Sequence, residues 1–236
     1  MIVPVVVLFK TPQKTIDCLL SDFTTIGIPK KDIIFIDNTK NNKGFAHGAN
    51  RGIKQALKRK PTTILLVNPD VRFTKIEKGD ILAAQTKFSI FGGVIKDKSK
   101  IYYGGEIDRW YMSGGMREQK PKEQFSPVDF VSGSFMGISP ACIKKIGYLR
   151  EDYFMYYEDV EYCKRATNKG LSVGTSTKLV YRHNESSDSM FLQKKQYLAR
   201  NRLKFLNEYG TVLQKVRSCI KMVTDFLVSS SSLLNK

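Results

Sequence analysis

Three short apolar runs, separated by helical patterns, constrain the fold of this chain more than any other feature. The runs are VVVLF (5–9), IIFID (33–37) and ILLV (64–67), and each has the length and composition of a buried strand. Apolar residues at helical spacing predict a helix over 15–23 and a second over 46–58. The alternation of strand and helix implies right-handed crossovers in a mostly parallel sheet.

Composition excludes several classes of protein. The chain has 236 residues, 42% of them hydrophobic, which suits one large domain or two small ones. No apolar run approaches the roughly 20 residues that span a bilayer, and the first residues lack the features of a signal peptide. The cysteines show no paired spacing, which argues against a zinc site or a disulfide framework: Cys18, Cys142, Cys163 and Cys219. We therefore expect a reduced, cytoplasmic protein.

The chain is strongly basic, with 39 Lys+Arg against 22 Asp+Glu and a formal charge of +17. Such a field attracts nucleic acid, anionic lipid headgroups or a phosphorylated small molecule. The basic residues are spread along the sequence, without a dense arm or a nucleic-acid-binding module. Solvated faces account for most of them, and no nucleic-acid partner is predicted.

Two carboxylates stand at the ends of predicted strands. Asp37 and Asp70 would lie at the carboxyl edge of the sheet, where α/β proteins bind their ligands. There they could bind a base, a ribose edge or a hard divalent cation. They could equally be turn formers, because Asp-Asn and Asn-Pro-Asp favour turns.

The segment between these carboxylates, NNKGFAHGANRGI (41–53), is rich in glycine. Gly44 and Gly48 would let the backbone approach a ligand, and the helix beginning here would offer N–H groups to an anion. The glycine spacing is not that of the dinucleotide fingerprint. The segment alone therefore does not identify a ligand.

The second half of the chain contains a polar, glycine-rich and aromatic stretch over 101–124, centred on GGEIDRWYMSGG. It is predicted to be a loop or a hairpin over the site. Further on, VDFVSGSFMGISP (128–140) alternates like a strand but is interrupted by Ser132, Gly133 and Ser134. Small residues there would let a ligand lie against the backbone.

The segment DYFMYYEDVEYCKRATNKG predicts a helix over 157–170. Helical spacing puts Asp159 on the inner, less polar side of this helix. It puts Glu158 and Glu161 on the solvent side, where Arg165 can pair with them. An inward Asp at a helix start is either a cap or a general base, and the residues alone favour the cap.

The histidines are His47, in the glycine-rich segment, and His183, after the predicted strand LSVGTSTKLVY (171–181). A lone histidine is more often structural than a ligand. His183 and Asp70 could nevertheless supply one nitrogen and one oxygen to a metal whose other ligands are phosphate and water.

The C-terminal segment, 211–236, is predicted to be an amphipathic helix and tail, with apolar residues at helical spacing: Val212, Val216, Ile220, Val223 and Leu227. It could pack on the domain, pair with a partner, or lie on an anionic membrane as a peripheral contact. Packing is the favoured alternative. The ending SSSSLLNK is compatible with the chain being one domain of a longer polypeptide.

Taken in order, several of these segments resemble the inverting GT-A glycosyltransferases of family 2 and look closest to its rhamnosyltransferase-like branch. They are IDN (36–38), NKGFAHGANRGI (42–53), LLVNPD (65–70), VDFVSGSFMGIS (128–139), YFMYYEDVEYCKR (153–165), His183 and YLARNRLKF (197–205). The resemblance spans roughly residues 3–207. It implies a GT-A fold over 1–210, with a Rossmann-like nucleotide-sugar half at about 1–100 and an acceptor and catalytic half at about 101–210.

The resemblance also implies site residues. Asp159 would be the catalytic base, which reverses the preference for a cap, and Asp70 and His183 would bind Mn²⁺ or Mg²⁺. Donor-binding residues would be Phe9, Asp37, Asn38, Lys43, Gly44, Asn50, Asn68, Asp70 and Gly133, with a positive field from Lys43, Arg51, Arg200 and Arg202. The sequence departs from the family in that Asn68 replaces the first acid of the Asp-X-Asp motif and Ser134 replaces an alanine.

The function implied is a metal-dependent inverting hexosyltransferase of polysaccharide biosynthesis. It would move rhamnose or glucose from a UDP- or dTDP-sugar to a hydroxyl of a glycan or lipid-linked acceptor, in the cytoplasm or at the inner face of a membrane. A non-catalytic basic module that binds nucleotides or polyanions is the alternative. A nucleotidyltransferase would need more metal carboxylates and a triphosphate signature.

Overall fold

A mixed β-sheet between two helical layers forms the centre of the protein. A computed structural model describes residues 1–97, 100–183, 191–221 and 224. The strands are β1 Ile2–Leu8, β2 Ile34–Asp37, β3 Thr63–Val67, β4 Val71–Lys75, β5 Ile90–Asp97, β6 Lys100–Tyr102, β7 Gly105–Ile107, β8 Gly114–Met116, β9 Phe125–Pro127, β10 Phe135–Ile138 and β11 Val173–His183. The helices are α1 Gln13–Thr25, α2 Phe45–Leu57, α3 Lys78–Lys87, α4 Pro140–Ile146, α5 Glu158–Asn168, α6 Phe191–Tyr209 and α7 over 212–221, with a 3₁₀ turn at Lys30–Asp32.

The first half of the sheet confirms the predicted strand and helix alternation. β1 lies between β2 and β3 and pairs in parallel with both. In this register Leu8 is opposite Asp37, so the carboxyl ends of β1 and β2 meet at one edge. Both predicted helices form, as α1 and α2. This edge is where the sequence places the donor.

The second half of the sheet is mixed. The order continues through β10, β5, β11 and β4, with β10 antiparallel to β3 and β5. β11 is parallel to β5 but antiparallel to β4. The central sheet flanked by helices is as predicted, but the prediction that its pairing is mostly parallel is wrong. Parallel pairs join β1 to β2 and β3, and β5 to β11, whereas the other described pairs of this sheet are antiparallel. The antiparallel pair of β4 and β11 sets His183 opposite Val71, directly after Asp70.

Each face of the sheet has its own hydrophobic core. On one face α1 and α3 bury residues such as Leu19, Phe23 and Ile81. On the other face α2, α4, α5 and α6 bury residues such as Ile53 and Phe205. The chain therefore forms a three-layer α/β/α structure, in which helices pack on both faces of the central sheet.

Gly48 contributes to helix packing. It lies inside α2, where an added Cβ would come within 2.6 Å of Val7 Cγ1. One turn further on, a Cβ at Gly52 would lie 2.2 Å from Val5 Cγ1. These glycines let α2 lie close against β1, which gives Gly48 a packing role; the approach of Gly48 to a ligand stays a prediction.

The stretch 101–124 contains a hairpin, in which β7 and β8 pair antiparallel. Helix α7 lies on this hairpin: Gln214 Nε2 donates to Arg109 O at 2.7 Å and Ser218 Oγ donates to Tyr111 O at 3.3 Å. This agrees with the packing alternative for the C-terminal segment, although Val223 and Leu227 lie outside the described residues. Among the helices that the structure describes, none is both long and apolar enough to cross a membrane.

Gly93, in β5, provides a test of this fold. A Cβ at Gly93 would lie 2.2 Å from the carbonyl oxygen of Leu179, in the irregular part of β11. We expect Gly93→Ala to lower the free energy of unfolding by about 2–4 kcal/mol, because backbone atoms must move to admit the methyl group. Chemical denaturation measures the change.

Gly79→Ala is the matched control. Gly79 lies in α3 and an added Cβ there meets nothing within 4 Å. It should be neutral or stabilising by up to about 1 kcal/mol, since alanine favours the helix. Equal stability of the two variants would contradict the close approach of β5 and β11.

Candidate active site

Asp159 lies in the first turn of α5 and points toward the small residues before β10. Its Oδ2 accepts a hydrogen bond from Gly133 N at 2.9 Å, and its Oδ1 accepts one from Val160 N at 2.8 Å. Burial raises the pKa of Asp159, while the hydrogen bonds from Gly133 and Val160 oppose that shift. The inward direction predicted from helical spacing is confirmed. The bond to Val160 N also gives Asp159 part of the role of a helix cap.

The turn before α5 is strained. Tyr156 and Tyr157 both have left-handed backbone conformations, with φ of 67° and 72°. Such angles cost about 1–3 kcal/mol per residue and persist where the surroundings impose them. Asn201 of α6 imposes them here, because its Nδ2 donates to the carbonyls of Met155 and Tyr156, both at 2.8 Å. α6 therefore sets the position of Asp159.

The same turn contacts the glycine-rich segment. Phe45 N donates to Phe154 O at 3.1 Å, and a Cβ at Gly44, where φ is +94°, would lie 2.2 Å from that oxygen. The ring of Phe154 stacks on Tyr197 of α6 at a centroid distance of 5.3 Å. Only glycine fits at position 44, and the first N–H of α2 is already used within the protein.

The two glutamates of α5 are buried, so the prediction that they face solvent is wrong. Glu158 is 6% exposed and Glu161 is 0% exposed. Glu161 accepts hydrogen bonds from Arg165 Nε at 2.9 Å and from the Tyr209 hydroxyl at 2.8 Å, so the predicted ion pair with Arg165 is confirmed. Tyr209 of α6 covers the side of α5 that was predicted to be exposed to solvent.

Glu158 differs from Glu161 in the surroundings of its carboxyl group. Its Oε2 is buried without a hydrogen-bond partner among the described residues. Burial, with the adjacent charge of Asp159, raises the pKa of Glu158 well above its usual value. Burial without a hydrogen bond to Oε2 from the described residues thus disfavours the charged form of Glu158 beside the carboxylate of Asp159.

The strand ends bring Asn68, Asp70 and His183 together. His183 Nε2 lies 3.4 Å from Asp70 Oδ1 and 3.4 Å from Asn68 Nδ2. The side chain of His183 is 12% exposed and that of Asp70 is 35% exposed, so the group is open on one side. Within the described part of the chain, no three His, Cys, Asp or Glu side chains form a complete metal cage.

A carboxylate oxygen and an imidazole nitrogen in contact are nevertheless a suitable partial donor set for Mn²⁺ or Mg²⁺. Mg²⁺ commonly takes one or two protein ligands and completes its shell with phosphate and water. The residues therefore fit the metal that the resemblance implies.

At the neighbouring edge, Phe9 and Asp37 are exposed at the ends of β1 and β2, Phe9 by 44%. Hydrogen bonds from the side chain and backbone of Thr39 lower the pKa of Asp37. Asn38 is buried instead, and its Nδ2 donates to Gly44 O at 2.9 Å. Of this group, Phe9 and Asp37 are available to a ligand, while Asn38 holds the glycine-rich segment.

Asn50 is also turned inward. It is 3% exposed, donates from Nδ2 to Leu149 O at 2.9 Å, and accepts at Oδ1 from Leu149 N at 3.1 Å. His47 Nδ1 lies 2.8 Å from Glu151 Oε2 in the same contact. Both residues tie α2 to the segment 149–151, a position that does not favour the predicted donor contact of Asn50.

The basic residues predicted to form a positive field differ in their exposure to solvent. Lys43, Arg51 and Arg200 are exposed, whereas Arg202 is partly buried and its Nε has no hydrogen-bond partner in the described ranges. Burial raises the pKa of Tyr157, and the positive charge of Arg202 opposes this shift. Arg202 thus lies near the turn that carries Asp159.

Sequence reasoning missed the roles of Glu158 and Asn201. The available signal for Asn201 was an asparagine inside a helix, where its side chain competes with the backbone and its propensity is low. Helical spacing places Glu158 on the solvent side, and no local pattern marks its burial.

Comparison with solved structures identifies the fold. The chain is similar to the crystal structure of GalNAc-T7 with UDP, GalNAc and Mn²⁺, with a TM-score of 0.70 and 12% identity over 90% of this chain and 48% of that chain. It has the GT-A fold of glycosyltransferases. A more distant likeness is to the crystal structure of A197 from STIV, with a TM-score of 0.52 and 14% identity over 76% of this chain and 83% of that one.

The GT-A chain also has a relative in sequence. It is 30% identical over 165 residues to the low-salt glycan biosynthesis hexosyltransferase Agl10 of Haloferax volcanii. The match covers 66% of this chain and 53% of that protein, so the chain spans about half the length of this relative. No protein-family model matches the chain. The assignment to the rhamnosyltransferase-like branch stays a prediction.

Replacement of the buried acids Glu158 and Glu161 by glutamine should have opposite effects on the free energy of unfolding. Because the pKa of Glu158 is raised on folding, its contribution to stability is full below its unfolded pKa and is lost as pH rises through the folded value. Glu158→Gln cannot ionise, so relative to wild type its free energy of unfolding should rise with pH. We expect a gain of about 1–3 kcal/mol near pH 7, absent below about pH 4.

Glu161→Gln is the contrast, because it breaks a buried ion pair and should lose about 3 kcal/mol near neutral pH. Urea denaturation across this pH range measures both variants. A loss of stability in Glu158→Gln at neutral pH would show that Glu158 has a partner.

Proposed function

We propose that this chain is an inverting glycosyltransferase that moves a hexose from a nucleotide-sugar to an acceptor hydroxyl, with Asp159 as general base. The observation that carries the proposal is the carboxylate of Asp159, fixed by Gly133 N–H in a chain with the GT-A fold. Similarity to a glycan biosynthesis hexosyltransferase supports the transfer of a hexose.

Asp159 has the properties that a base needs. Each of its oxygens accepts one backbone N–H, and a carboxylate has further lone pairs that can take the proton of a hydroxyl. A pKa raised by burial increases its proton affinity, as suits a general base. Asp159 would take this proton as the acceptor oxygen bonds to the anomeric carbon. The bond from that carbon to the diphosphate oxygen breaks on the opposite face, so the configuration inverts.

Asp70 and His183 would hold Mn²⁺ or Mg²⁺, with Asn68 beside them. When bound, the metal would neutralise the negative charge that develops on the leaving diphosphate. The similar GalNAc-T7 was crystallised with UDP and Mn²⁺, which supports this expectation.

The donor would be a UDP- or dTDP-sugar, with rhamnose or glucose as the transferred group. Phe9 and Asp37 are exposed where the base would lie, and Gly133, which has no side chain, would let the sugar approach the backbone beside Asp159. Lys43, Arg51, Arg200 and Arg202 would supply the positive field for the diphosphate. The acceptor would be a glycan or a lipid-linked saccharide.

Replacement of the base tests the mechanism directly. Asp159→Asn should lower turnover of the donor by about a hundredfold or more, because general-base catalysis is lost. Donor affinity should change little, since the amide keeps the size of the carboxylate. Release of nucleoside diphosphate measures turnover, and calorimetry measures affinity.

Asp17→Asn is the control for this experiment, because Asp17 is exposed on α1 and hydrogen-bonds only to Gln13 in the described residues. If Asp159→Asn keeps full turnover, Asp159 is not the base. If wild type binds UDP- and dTDP-sugars without turning any over, the basic nucleotide-binding module replaces the enzyme.

The metal site has a separate test. Mn²⁺ should tighten the binding of UDP to wild type, and Asp70→Asn or His183→Ala should remove this gain. Loss of a direct ligand should cost at least the roughly tenfold that loss of an outer-shell partner costs. Calorimetric titration of UDP with and without Mn²⁺ measures the effect. An equal gain in wild type and in Asp70→Asn would exclude Asp70 as a ligand.

A further inference from the structure

A pocket of about 770 Å³ lies on the hairpin of β7 and β8, apart from the donor edge. It is formed by both strands of the hairpin, the turn between them and the segment 127–129. Its chemically active lining residues are Glu106, Asp108, Arg109, Trp110, Arg117 and Asp129. None of these residues has a role in the site described above.

Trp110 gives the pocket an aromatic wall. It is the only tryptophan in the sequence, and it is 60% exposed. The guanidinium of Arg217 in α7 lies 4.4 Å from its ring centroid. An indole that is held in place and still exposed offers an apolar face with a polar edge, as ligand sites commonly do.

Two carboxylates near this ring are held by backbone hydrogen bonds, and each keeps one oxygen that is not used in those bonds. Asp108 Oδ1 accepts from Trp110 N at 2.8 Å and from Tyr111 N at 2.7 Å, and Asp129 Oδ2 accepts from Ile107 N at 2.8 Å. The other oxygen of each carboxylate has no hydrogen bond within the described residues. These free oxygens are acceptors for hydroxyl groups.

Arg117 adds donors to the same wall. Its Nε is buried without a hydrogen-bond partner in the part of the chain that the structure describes, and its guanidinium lies 3.5 Å from Glu106. Its Nη2 donates to Ser126 Oγ at 3.4 Å, which holds the guanidinium at the wall, where its N–H groups are donors for a ligand.

The pocket is connected to the catalytic base. Gly114, in its lining, donates from N to the hydroxyl of Tyr157 at 3.1 Å. A Cβ at Gly114 would also lie 3.2 Å from Val160, the residue after Asp159. Tyr157 and Val160 flank the base in sequence. The hairpin therefore packs directly on the helical turn that carries it.

We propose that this pocket binds an uncharged saccharide unit of the acceptor, with one face of the sugar on Trp110 and its hydroxyls on Asp108, Asp129 and Arg117. This inference rests on the proposed function, and it assigns the acceptor side of the same site. The carboxylates Glu106, Asp108 and Asp129 disfavour a phosphate or another anion here. A sugar supplies an apolar face for the indole ring and hydroxyl groups that can bond to both the carboxylates and the guanidinium.

Saturation-transfer NMR with a panel of uncharged methyl glycosides of glucose, galactose, mannose and rhamnose tests the pocket. Wild type should bind at least one of them saturably, and the fluorescence of its single tryptophan should change over the same concentrations. Trp110→Ala should weaken this binding by about tenfold or more. Absence of binding to every member of the panel would overturn the inference.

Arg217→Ala is the matched control, because it removes the contact between α7 and the ring but leaves the indole. It should retain the affinity of wild type. If it loses as much affinity as Trp110→Ala, the ring serves to dock α7 and the inference fails.

Hydrolysis of the donor without acceptor separates this inference from the proposed function. Trp110→Ala should hydrolyse the donor like wild type, because the donor edge is intact. If wild type hydrolyses no donor, the proposed function fails and the acceptor role fails with it. If hydrolysis is normal and saccharide binding is unaffected by Trp110→Ala, only the inference about the pocket is wrong.

Discussion

The hydrogen bond from Gly133 N to Asp159 joins the turn before β10 to the first turn of α5, and the rest of the site depends on this contact. Gly133 stands just before β10, which is inserted between β3 and β5 at the middle of the sheet. Asp159 begins α5 on the other side of that bond. The carboxylate is thus fixed relative to the sheet, and Asn201 fixes the turn that precedes it. If Asp159 is the base, as proposed, a carboxylate held from both sides would keep its geometry without reorganisation during the reaction.

The adjacent acids Glu158 and Asp159 show how the same burial has different consequences. Both carboxyl groups have raised pKa values, with burial as the main cause. Asp159 has N–H donors on both oxygens, which favour its charged form, whereas Oε2 of Glu158 has no partner among the described residues. When two such groups interact, the proton goes to the one whose charge is less well solvated. The surroundings therefore favour the charged form of Asp159 over that of Glu158.

The parts of the structure that sequence predicted are those set by local pattern. Buried strands β1–β3 and the strand-end residues Asp70 and His183 follow from short-range periodicity and from the rule that ligands lie at strand ends. The antiparallel insertion of β10 between β3 and β5 depends on long-range pairing, which no local pattern records. The burial of Glu161 was missed for a related reason. A helical wheel assumes one wet face, but α5 is covered on that face by Tyr209 of α6.

The turn of Ser132, Gly133 and Ser134 lies between the proposed diphosphate side of the site and the proposed base, Asp159. Ser134 O accepts a hydrogen bond from Asn68 N at 2.9 Å, beside the proposed metal ligands, while Gly133 N binds Asp159. Neighbouring peptide groups of one turn therefore hold the side that would receive the diphosphate and the side that would receive the proton. An inverting displacement requires these two events on opposite faces of the sugar. Because Gly133 has no side chain, the sugar would meet only backbone at this turn, between the proposed metal ligands and the proposed base.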